Sequence, residues 1–598
     1  MDRKGIIAIT LAIVTLFAWT FYSQRESQKT AAARAEQVRA AEAAKKAEAP
    51  ASPTPDAQPA TPGGAVPAVP ATVGGEPAVE EKIETLPTPS VEFSFTNLGG
   101  GIAKASLLKH EGESGRRMTL NEFGKIPIGA VTLTPYADTR VPFTASVEAD
   151  AITFERTDKS GLQLTKKFTL PQAGDAEEYL ATVDVTFTNR GEQPQKVGTY
   201  YIHNGSAAQI HQRDQSIYTG FTYDGNSDLV NVGWFGASSF LGMGHAERPV
   251  YPEKDPGLGG VRWSGVTNQY FSTIISPVIT AKDSTGEHAQ RGAAVWARRF
   301  VITDEAWETT GRSVEGKSEE RYAVEGAMGM PGFELAPGAS RTQSFTIYAG
   351  PREYSRLARL PNDEDEILEF GWFAFVSKIL LNGMNWLNAR LGSYAAAIIV
   401  LTLIIKLLLW PMQNKATNSM KKMSLLQPKM TEMREKYKDD PARMNTEVMK
   451  LYKDYGVNPF AGCLPMLIQL PVFLGFYRML DKAVELRNAQ FLWVPDLSQP
   501  DTIWHLPWLG WPLNVLPFLM AGTMLWSMQL SPKSGDPMQQ KIFMFMPLIF
   551  IVFCYNFASA LALYWTVQNL FSVVQLYLTR NQALPTLQKA AAPPKKRK

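Results

Sequence analysis

The sequence predicts a polytopic α-helical membrane protein with a large β-sandwich domain outside the membrane. Apolar runs long enough to cross a bilayer lie at the N-terminus and in the C-terminal part of the chain, and none lies between about residues 90 and 350. That intervening region reads instead as short alternating strands. Lysine and arginine gather in alternate segments between the apolar runs, which predicts an orientation. At 598 residues the chain is too long for one domain.

Six apolar runs are predicted to span the membrane. A hydrocarbon core about 30 Å thick requires roughly 20 mostly apolar residues per helix, so most runs are long enough and 544–557 is marginal. The first run follows Arg3 and Lys4 and lacks a small-residue cleavage site, which predicts a retained anchor, residues 1–22. The six runs are residues 5–22, 393–412, 463–480, 508–528, 544–557 and 560–578.

The distribution of cations orients these spans. The segment 413–462 carries ten Lys and Arg residues, whereas 481–505 carries two, and the tail ends in "PPKKRK". Because cytoplasmic loops collect Lys and Arg, six spans with both termini in the cytoplasm fit every segment. The strand-rich domain then lies outside the cytoplasm, which in a bacterium is the periplasm.

Residues 370–392 are apolar enough to resemble a seventh span, but their pattern favours a helix lying in the membrane interface. Counting this segment as a span would also reverse every later loop and place the ten-cation segment outside. Polar residues fall on one helical face and large apolar residues on the other. The polar face consists of Lys378, Asn382, Asn385 and Arg390, and the apolar face of Trp372, Phe375, Ile379 and Trp386.

Two soluble regions precede that helix. Residues 23–90 begin rich in Ala, Glu and Lys and become rich in Pro, Ala and Gly, which predicts a flexible linker. Residues 91–352 contain alternating stretches such as "VEFSFTN" and "YLATVDVTFTN", which predict one large β-sandwich.

His203 and His211 are eight residues apart, a poor metal spacing, and we interpret both as solvated or core histidines. The chain is therefore predicted to be no enzyme and to need no cofactor or metal.

The cytoplasmic segment 413–457 is predicted to form a helical hairpin. Its two helices break at Asp439-Asp440-Pro441, with Asp440 as the cap of the second. Apolar residues recur at spacings of three and four in both helices, so the two stripes can pack on each other. Methionines also form adaptable docking surfaces, and the cations suit an anionic partner such as ribosomal RNA or lipid. The candidate partner contacts are Met420, Met423, Met430, Met433, Lys421 and Lys422.

A lysine, Lys406, lies inside the second predicted span. One interpretation is that it snorkels to the cytoplasmic headgroups. The alternative is a hydrated, cationic cavity, because polar groups within spans usually face the bundle interior or water. Other helices favour the cavity, since they carry polar residues at helical spacing. These residues are Thr402 on the same span, Gln469 on the third, and Tyr564, Gln568, Ser572 and Gln575 on the sixth.

Such a cavity allows two mechanisms. A transporter or channel would use Lys406 to bind an anionic solute, but no broken-helix pair or repeat typical of alternating access is visible in the sequence. An insertase would use the same groove to admit a hydrophilic stretch of a nascent membrane protein and would attract acidic residues with Lys406. Both mechanisms stay open on these residues alone.

Longer motifs carry a resemblance to a known family. They are "KMSLLQPKMTEMREKYKDDPARMNTEVMKLYKDYGVNPFAGCLPMLIQLPVFLGFYRML", "DPMQQKIFMFMPLIFIVF" and "LALYWTVQNLFSVVQ". In order, through most of residues 355–580, they resemble the YidC/Oxa/Alb family of membrane protein insertases. The layout resembles its Gram-negative bacterial members. It implies a connecting and interfacial helix at 353–392, a five-helix insertase core at 393–580 and a basic cytoplasmic tail at 581–598.

This resemblance implies an inner-membrane insertase and chaperone that acts on nascent membrane proteins, alone or with the Sec translocon. The ribosome, the signal recognition particle pathway and membrane lipids are the other implied partners. The β domain would be a supersandwich related to sugar-processing folds but without known catalysis. If it does bind sugars, residues 90–350 should bind a glycan saturably.

The resemblance also assigns groove positions. Thr402, Gln469, Tyr564 and Trp565 match groove positions of the family, with Trp565 where a second tyrosine is common, and Gln568 extends the same polar stripe. The groove cation of the family is usually an arginine, and here it is Lys406. Lysine keeps the charge but lacks the bidentate fork of a guanidinium, so its capture of a carboxylate is expected to differ in strength.

Overall fold

The computed structural model of the chain describes residues 79–579, with short gaps. The predicted anchor 1–22, most of the predicted linker 23–90 and the predicted tail 581–598 lie outside the described residues. The chain divides into two compact units, Met1–Pro351 and Arg352–Lys598. The gaps are 113–114, 136–140, 173–176, 212–215, 224–225, 241–242, 253–259, 280–290, 313–319, 439, 457–463, 506–511 and 532–536.

The first unit consists mostly of strands, as predicted. Its one α-helix among the described residues is α1 (Asp304–Thr309), and Trp307 of this helix is fully buried. The strands are β1 (Ile83–Pro87), β2 (Val91–Thr96), β3 (Gly101–Glu111), β4 (Arg117–Leu120), β5 (Val131–Thr132), β6 (Thr144–Val147), β7 (Ala151–Thr157), β8 (Leu162–Thr169), β9 (Leu180–Asn189), β10 (Gln195–Val197), β11 (Tyr200–Ala208), β12 (Tyr218–Tyr223), β13 (Asn226–Asn231), β14 (Ser238–Phe240), β15 (Met243–His245), β16 (Val250–Tyr251), β17 (Val261–Thr267), β18 (Phe271–Pro277), β19 (Ala294–Ile302), β20 (Arg321–Met330), β21 (Phe333–Leu335) and β22 (Ser340–Pro351).

Two large antiparallel sheets form the sandwich. The larger has nine strands in the order β13-β12-β17-β18-β22-β9-β8-β7-β6, and the smaller has five in the order β16-β19-β20-β11-β5. Strands β11 and β20 of the smaller sheet pack against β17 and β18 of the larger. The strands alternate buried and exposed side chains where one face meets the core, as in β9, which matches the period of two seen in the sequence.

The first strand lies inside the segment predicted as linker. Strand β1 pairs antiparallel with β2, and Ile83 lies opposite Thr96. The side chain of Asn97 fixes this entry, because its Oδ1 accepts the N–H of Lys82 at 2.7 Å and its Nδ2 donates to the carbonyl of Glu80 at 3.2 Å. The composition of the segment predicted a linker, but pairing with a neighbouring strand orders its last residues.

Two titratable side chains are buried together in this sandwich. His203 is 1% exposed and its Nε2 lies 2.9 Å from Thr132 Oγ1. Burial, and then the charges of Lys166 and Arg298, lower the pKa of His203 to about 3. Burial lowers the pKa of Lys166 to about 7, and its Nζ donates to the carbonyl of Gly99. His203 is therefore a neutral core histidine, one of the two alternatives predicted for it.

This burial predicts a loss of stability in acid. Below a pH of about 6.5 an unfolded His203 takes up a proton, whereas the folded one stays neutral to a pH of about 3. Because the unfolded state then binds more protons, the free energy of unfolding falls as the pH falls across this window. Denaturant midpoints of the first unit, followed by tryptophan fluorescence at pH 7 and 5, check this.

The His203→Gln variant separates this histidine from other acid effects. It is expected to lose part of the acid sensitivity, since glutamine does not titrate, while His245→Gln at a half-buried position is expected to keep it. Equal acid sensitivity of the wild-type chain and His203→Gln would contradict the assignment.

The second unit is helical. Its helices are α2 (Tyr354–Leu357), α3 (Ala374–Leu391), α4 (Tyr394–Lys436), α5 (Pro441–Asp454), α6 (Leu464–Lys482), α7 (Leu516–Leu530), α8 (Pro537–Cys554) and α9 (Ser559–Thr579). Among the described residues, α4 alone is long and apolar enough to cross a membrane by length and composition, and Met544–Cys554 is a shorter apolar helix. A hairpin of two short strands, β23 (Thr502–His505) and β24 (Pro512–Asn514), precedes α7.

Two helices differ from the predicted spans. The predicted span 393–412 and the first hairpin helix form one continuous helix, α4, which contains Pro411 and Pro428. In the described part of the predicted span 508–528, Pro512–Asn514 pairs as a strand and α7 begins only at Leu516. Asp501 fixes this start, since its Oδ2 accepts the N–H groups of Val515 at 2.9 Å and Leu516 at 2.7 Å.

Helix α3 covers the segment predicted to lie in the interface. The four residues of its predicted apolar face, Trp372, Phe375, Ile379 and Trp386, are all more than half exposed. Two residues of its polar face are paired within the unit: Lys378 forms an ion pair with Asp365 at 2.7 Å, and Asn385 donates to Glu485 at 3.0 Å. Two of the four polar-face side chains are therefore bonded within the unit, and the aromatic side of the helix is uncovered.

Candidate functional site

A pocket between α4, α6 and α9 brings together most of the predicted groove residues. Helices α4 and α9 pack against each other and both contact α6. The pocket is lined by Thr402, Ile405, Lys406, Gln469, Val472, Phe476, Tyr564 and Gln568. We call these eight residues the polar pocket.

Lys406 lies in the wall of the polar pocket. Its side chain is 4% exposed, and its Nζ donates to Ser572 Oγ at 3.0 Å. Ser572 in turn donates to the carbonyl of Gln568 at 2.9 Å. Within the described ranges, no carboxylate forms an ion pair with Lys406. This placement favours the pocket interpretation over snorkelling. The ammonium donates to Ser572 on the neighbouring helix α9, whereas a snorkelling lysine would extend its side chain toward water.

Three side chains close the polar pocket from the side of α6 and α9. Gln469 Nε2 donates to Tyr564 OH and to Gln568 Oε1, both at 3.2 Å. The ring of Tyr564 stacks on Phe476 with centroids 4.1 Å apart. The Oε1 atom of Gln469 is buried and has no hydrogen-bond partner. The pocket therefore contains one amide oxygen that can accept a hydrogen bond from an entering group.

The polar pocket is filled by these side chains and leaves no room for a water molecule. The sequence predicted a hydrated cavity from the same residues. The difference arises because Gln469 on one helix donates to both Tyr564 and Gln568 on another, across the space. An occupant could enter this space only if these bonds separated.

Two predicted groove residues differ from the others in what they offer. Thr402 is 2% exposed and its hydroxyl donates to the carbonyl of Ile398 at 2.7 Å, so its proton is used within α4. Trp565 does not line the pocket, because its ring packs between those of Phe473 and Phe550 with centroids 4.7 and 4.6 Å away. The resemblance had placed both among the groove residues.

The apolar lining was missed from the sequence. Val472 and Phe476 follow Gln469 at spacings of three and four on α6, and Ile405 adjoins Lys406. The helical spacing from Gln469 could have revealed the first two, but they look like ordinary core residues in an apolar run. Polar residues alone drew attention because they are rare there.

A second set of polar contacts joins α4 and α9 beyond the pocket. Gln575 donates to Asn414 Oδ1 at 3.0 Å, and Lys421 donates to the carbonyl of Thr579 at 2.8 Å. Lys421, predicted as a partner contact, therefore binds the last carbonyl of α9 in the described range. A cation at this end of a helix is also favoured by the helix dipole.

The helical hairpin has its own core. Asp440 caps α5 as predicted, accepting the N–H of Arg443 at 3.0 Å. The buried cluster consists of Met423, Leu426, Met430, Leu451 and Tyr452, with Val448 and Tyr455 packed against it. This confirms that the two stripes pack on each other. Met423 and Met430 therefore belong to the hairpin core, whereas Met420 and Met433 are half-buried and Lys422 is exposed.

Among the residues that the structure describes, no group of three or more His, Cys, Asp and Glu side chains could hold a metal ion. The polar pocket also contains no nucleophile and base within hydrogen-bond reach of each other. The polar pocket contains a buried cation, amide groups and a phenol, which can bind a polar or acidic group through hydrogen bonds.

Comparison with known proteins places the chain in a family. It matches the family model for the 60Kd inner membrane protein over residues 386–586 and the model for the YidC periplasmic domain over residues 84–382. It is 45% identical to a membrane protein insertase YidC of Syntrophobacter fumaroxidans over 42% of this chain, and spans 46% of that relative, about half its length. It is 30% identical to the insertase YidC of Herminiimonas arsenicoxydans over 88% of this chain and 87% of that protein.

A crystal structure of an active YidC insertase aligns with 84% of this chain and 94% of its own, at 18% identity and a TM-score of 0.33. The sequence matches cover both units described above, the strand-rich one and the helical one. The chain belongs to the YidC family of membrane protein insertases.

Proposed function

We propose that this chain inserts nascent proteins into the bacterial inner membrane and admits their hydrophilic segments through the polar pocket. The observation that carries the proposal is Lys406, a buried cation whose only partner among the described residues is the Ser572 hydroxyl. Isolated charges inside proteins are costly, by several kcal/mol even after relaxation. A binding group of opposite charge would relieve that cost.

A translocated acidic residue supplies this opposite charge. Its carboxylate accepts from the Lys406 ammonium, and charge-assisted hydrogen bonds are about twice as strong as neutral ones. The unpaired Gln469 Oε1 accepts a backbone N–H of the same segment. Both contacts replace hydration that the segment loses on leaving water, which lowers the cost of taking polar groups into the bilayer.

The driving force comes from the client. Burial of its apolar segment in lipid contributes roughly 25 cal/mol per Å² of apolar surface. The pocket therefore needs only to lower the barrier for the polar flank, and no nucleotide or metal enters the scheme. Since the pocket is closed by the bonds of Gln469, we propose that the client segment opens it by exchanging these bonds for its own.

The membrane arrangement proposed here has six spans, both termini in the cytoplasm and the strand-rich unit in the periplasm. The five-helix core at 393–580 surrounds the groove, and the hairpin at 413–457 projects into the cytoplasm. We propose that the exposed Lys422 and the half-buried Met420 and Met433, with the basic tail at 581–598, contact the ribosome and the signal recognition particle pathway. The Sec translocon and membrane lipids are further proposed partners.

Crosslinking from position 406 tests this function. A photoreactive residue in place of Lys406 is expected to crosslink a stalled nascent membrane protein, at the residues flanking its apolar segment. The same residue at Leu408, which is 75% exposed on the same helix, is the control and should give lipid or only apolar client contacts. Passage of small anions through the purified chain without insertion of a purified client would favour a transporter instead.

A further inference from the structure

The nine-stranded sheet of the first unit extends beyond the five-stranded sheet that covers it. Arg156, Leu164 and Phe187 lie in one row across β7, β8 and β9, directly opposite one another in the strand register. The smaller sheet ends with β5, which has only two residues, and Tyr200 of the neighbouring β11 packs on Phe187 with ring centroids 5.0 Å apart. The row is therefore covered at Phe187 and open toward Leu164 and Arg156.

A cavity of about 240 Å³ occupies this opening. Its walls are mostly apolar, which makes it a site for small aliphatic side chains. Leu133, Val141 and Phe143, which lie on either side of the gap at 136–140, contribute to one wall. The apolar lining residues are Leu133, Val141, Phe143, Leu162, Leu164 and Phe187. We call these residues and Arg156 the sandwich groove.

Among the described residues that line the groove, one is a cation. Arg156 lines the groove and is half-buried, and its guanidinium makes no hydrogen bond or ion pair with the described residues. Asp158 also lines the groove, and its Oδ1 accepts the N–H groups of Ser160 and Leu162 in its own turn. The groove thus combines an apolar floor with an arginine that is free to bind an acidic group.

The chain enters the first unit beside this groove. Asn97, which binds Glu80 and Lys82 through its side chain, also accepts the N–H of Phe143 with its carbonyl at 2.9 Å. Phe143 is a wall of the groove. The residues that precede Val79 therefore reach the structure within a few residues of the groove wall.

The sequence just before that entry suits the groove. Residues 65–73 read "AVPAVPATV", the longest stretch of the predicted linker made only of small apolar residues, proline and one threonine. Proline favours the polyproline II conformation, which has three residues per turn and places Val66 and Val69 on one face. Glu76 follows this stretch, and its negative charge is complementary to the guanidinium of Arg156. The ten residues from Val69 to Val79 can span about 33 Å when extended, enough to fold back onto the groove.

We propose that residues 65–73 of this chain bind in the sandwich groove as an extended segment, with Val66 and Val69 inserted and Glu76 facing Arg156. The occupant is thus the chain itself. Binding would shorten the free part of the linker to residues 23–64 and would make the separation between the anchor and the strand-rich unit smaller than the linker's full length permits.

Disulfide formation in the full-length chain tests the proposal. In a background with Cys463→Ala and Cys554→Ala, the pair Val69→Cys and Leu164→Cys is expected to oxidise roughly tenfold faster than the pair Gly75→Cys and Leu164→Cys. Mere tethering predicts the opposite order, because Gly75 is nearer to the entry point. A second matched control replaces Leu164 by its neighbour on the other face of β8, in the pair Val69→Cys and Thr165→Cys, which should stay reduced.

A second measurement does not depend on cysteines. Elastase should cleave the linker within 65–73 several-fold faster in the variant Leu164→Glu, which places a charge in the groove. The rate of elastase cleavage within residues 51–60 is the control and should be the same in the variant and the wild-type chain. Equal oxidation of all three cysteine pairs, or elastase cleavage that ignores Leu164→Glu, would overturn the proposal. So would a photoreactive residue at position 164 that captures a nascent chain in place of the linker.

Discussion

Replacing Lys406 by alanine is expected to reduce the insertion of clients with acidic translocated segments roughly tenfold, the loss of one charge-assisted hydrogen bond in a buried site. Lys406→Arg is expected to retain insertion, because the guanidinium keeps the charge and adds a bidentate fork for a carboxylate. Clients whose translocated segment is neutral should be affected much less by either change. The measurement is the fraction of each client that becomes protected from protease in proteoliposomes containing the wild-type chain, Lys406→Ala or Lys406→Arg.

The stability of the variants separates this loss from misfolding. Lys406→Ala removes a buried cation that has no carboxylate partner in the described part of the chain. Removing such a charge is usually neutral or stabilising, so the alanine variant should unfold no more easily than the wild-type chain. Lys415→Ala, on the same helix but exposed, is the matched control and should insert acidic clients normally. Equal insertion by the wild-type chain, Lys406→Ala and Lys406→Arg would refute a role for the groove charge.

Asp501→Ala is expected to have the largest effect on stability. Its carboxylate is 2% exposed, and one oxygen accepts three hydrogen bonds, from Val515 N, Leu516 N and Trp493 Nε1 at 2.9, 2.7 and 3.1 Å. Alanine would leave three donors unsatisfied, two of them at the N-terminus of α7. With about 1–3 kcal/mol for each buried unpaired group, the loss is about 3 kcal/mol or more.

Hydrogen exchange measures this loss locally. The amides of residues 512–518 should exchange roughly a hundredfold faster in Asp501→Ala, if they open by local unfolding. Asp501→Asn keeps one acceptor oxygen and should be intermediate. Asp496→Ala, which removes one bond to Ser498 N at 2.8 Å, is the control and should change exchange little. Unchanged exchange at 512–518 in Asp501→Ala would show that the loop is held by other contacts.

The sequence could predict those features that depend on periodicity and rare residues. Alternation identified the strand-rich unit, the cap at Asp440 set the start of α5, and apolar spacing identified the hairpin core. Lys406 was found because a cation inside an apolar run has few explanations. Each of these patterns involves residues close together in the sequence, so it can be recognised without knowledge of the fold.

Features that depend on contacts distant in the chain could not be predicted. Whether Gln469, Tyr564 and Gln568 leave an open cavity or close it depends on bonds across about 95 to 99 positions of sequence separation. Asp501 determines where α7 begins from outside the helix, so the apolar run 508–528 gave no sign of it. The family resemblance placed Trp565 at a groove position, yet its ring packs on Phe473 and Phe550.

The continuity of α4 has a mechanical consequence. Lys406 and the end of the first hairpin helix, Lys436, belong to the same rod and lie about 45 Å apart along it, at 1.5 Å per residue. Only Pro411 and Pro428 interrupt its hydrogen-bond ladder, so bending is concentrated at those two positions. A force applied to the first hairpin helix would therefore turn the whole of α4, including the part that carries Lys406. Bending at Pro411 would reduce the rotation that is transmitted from the hairpin to the part of α4 that carries Lys406.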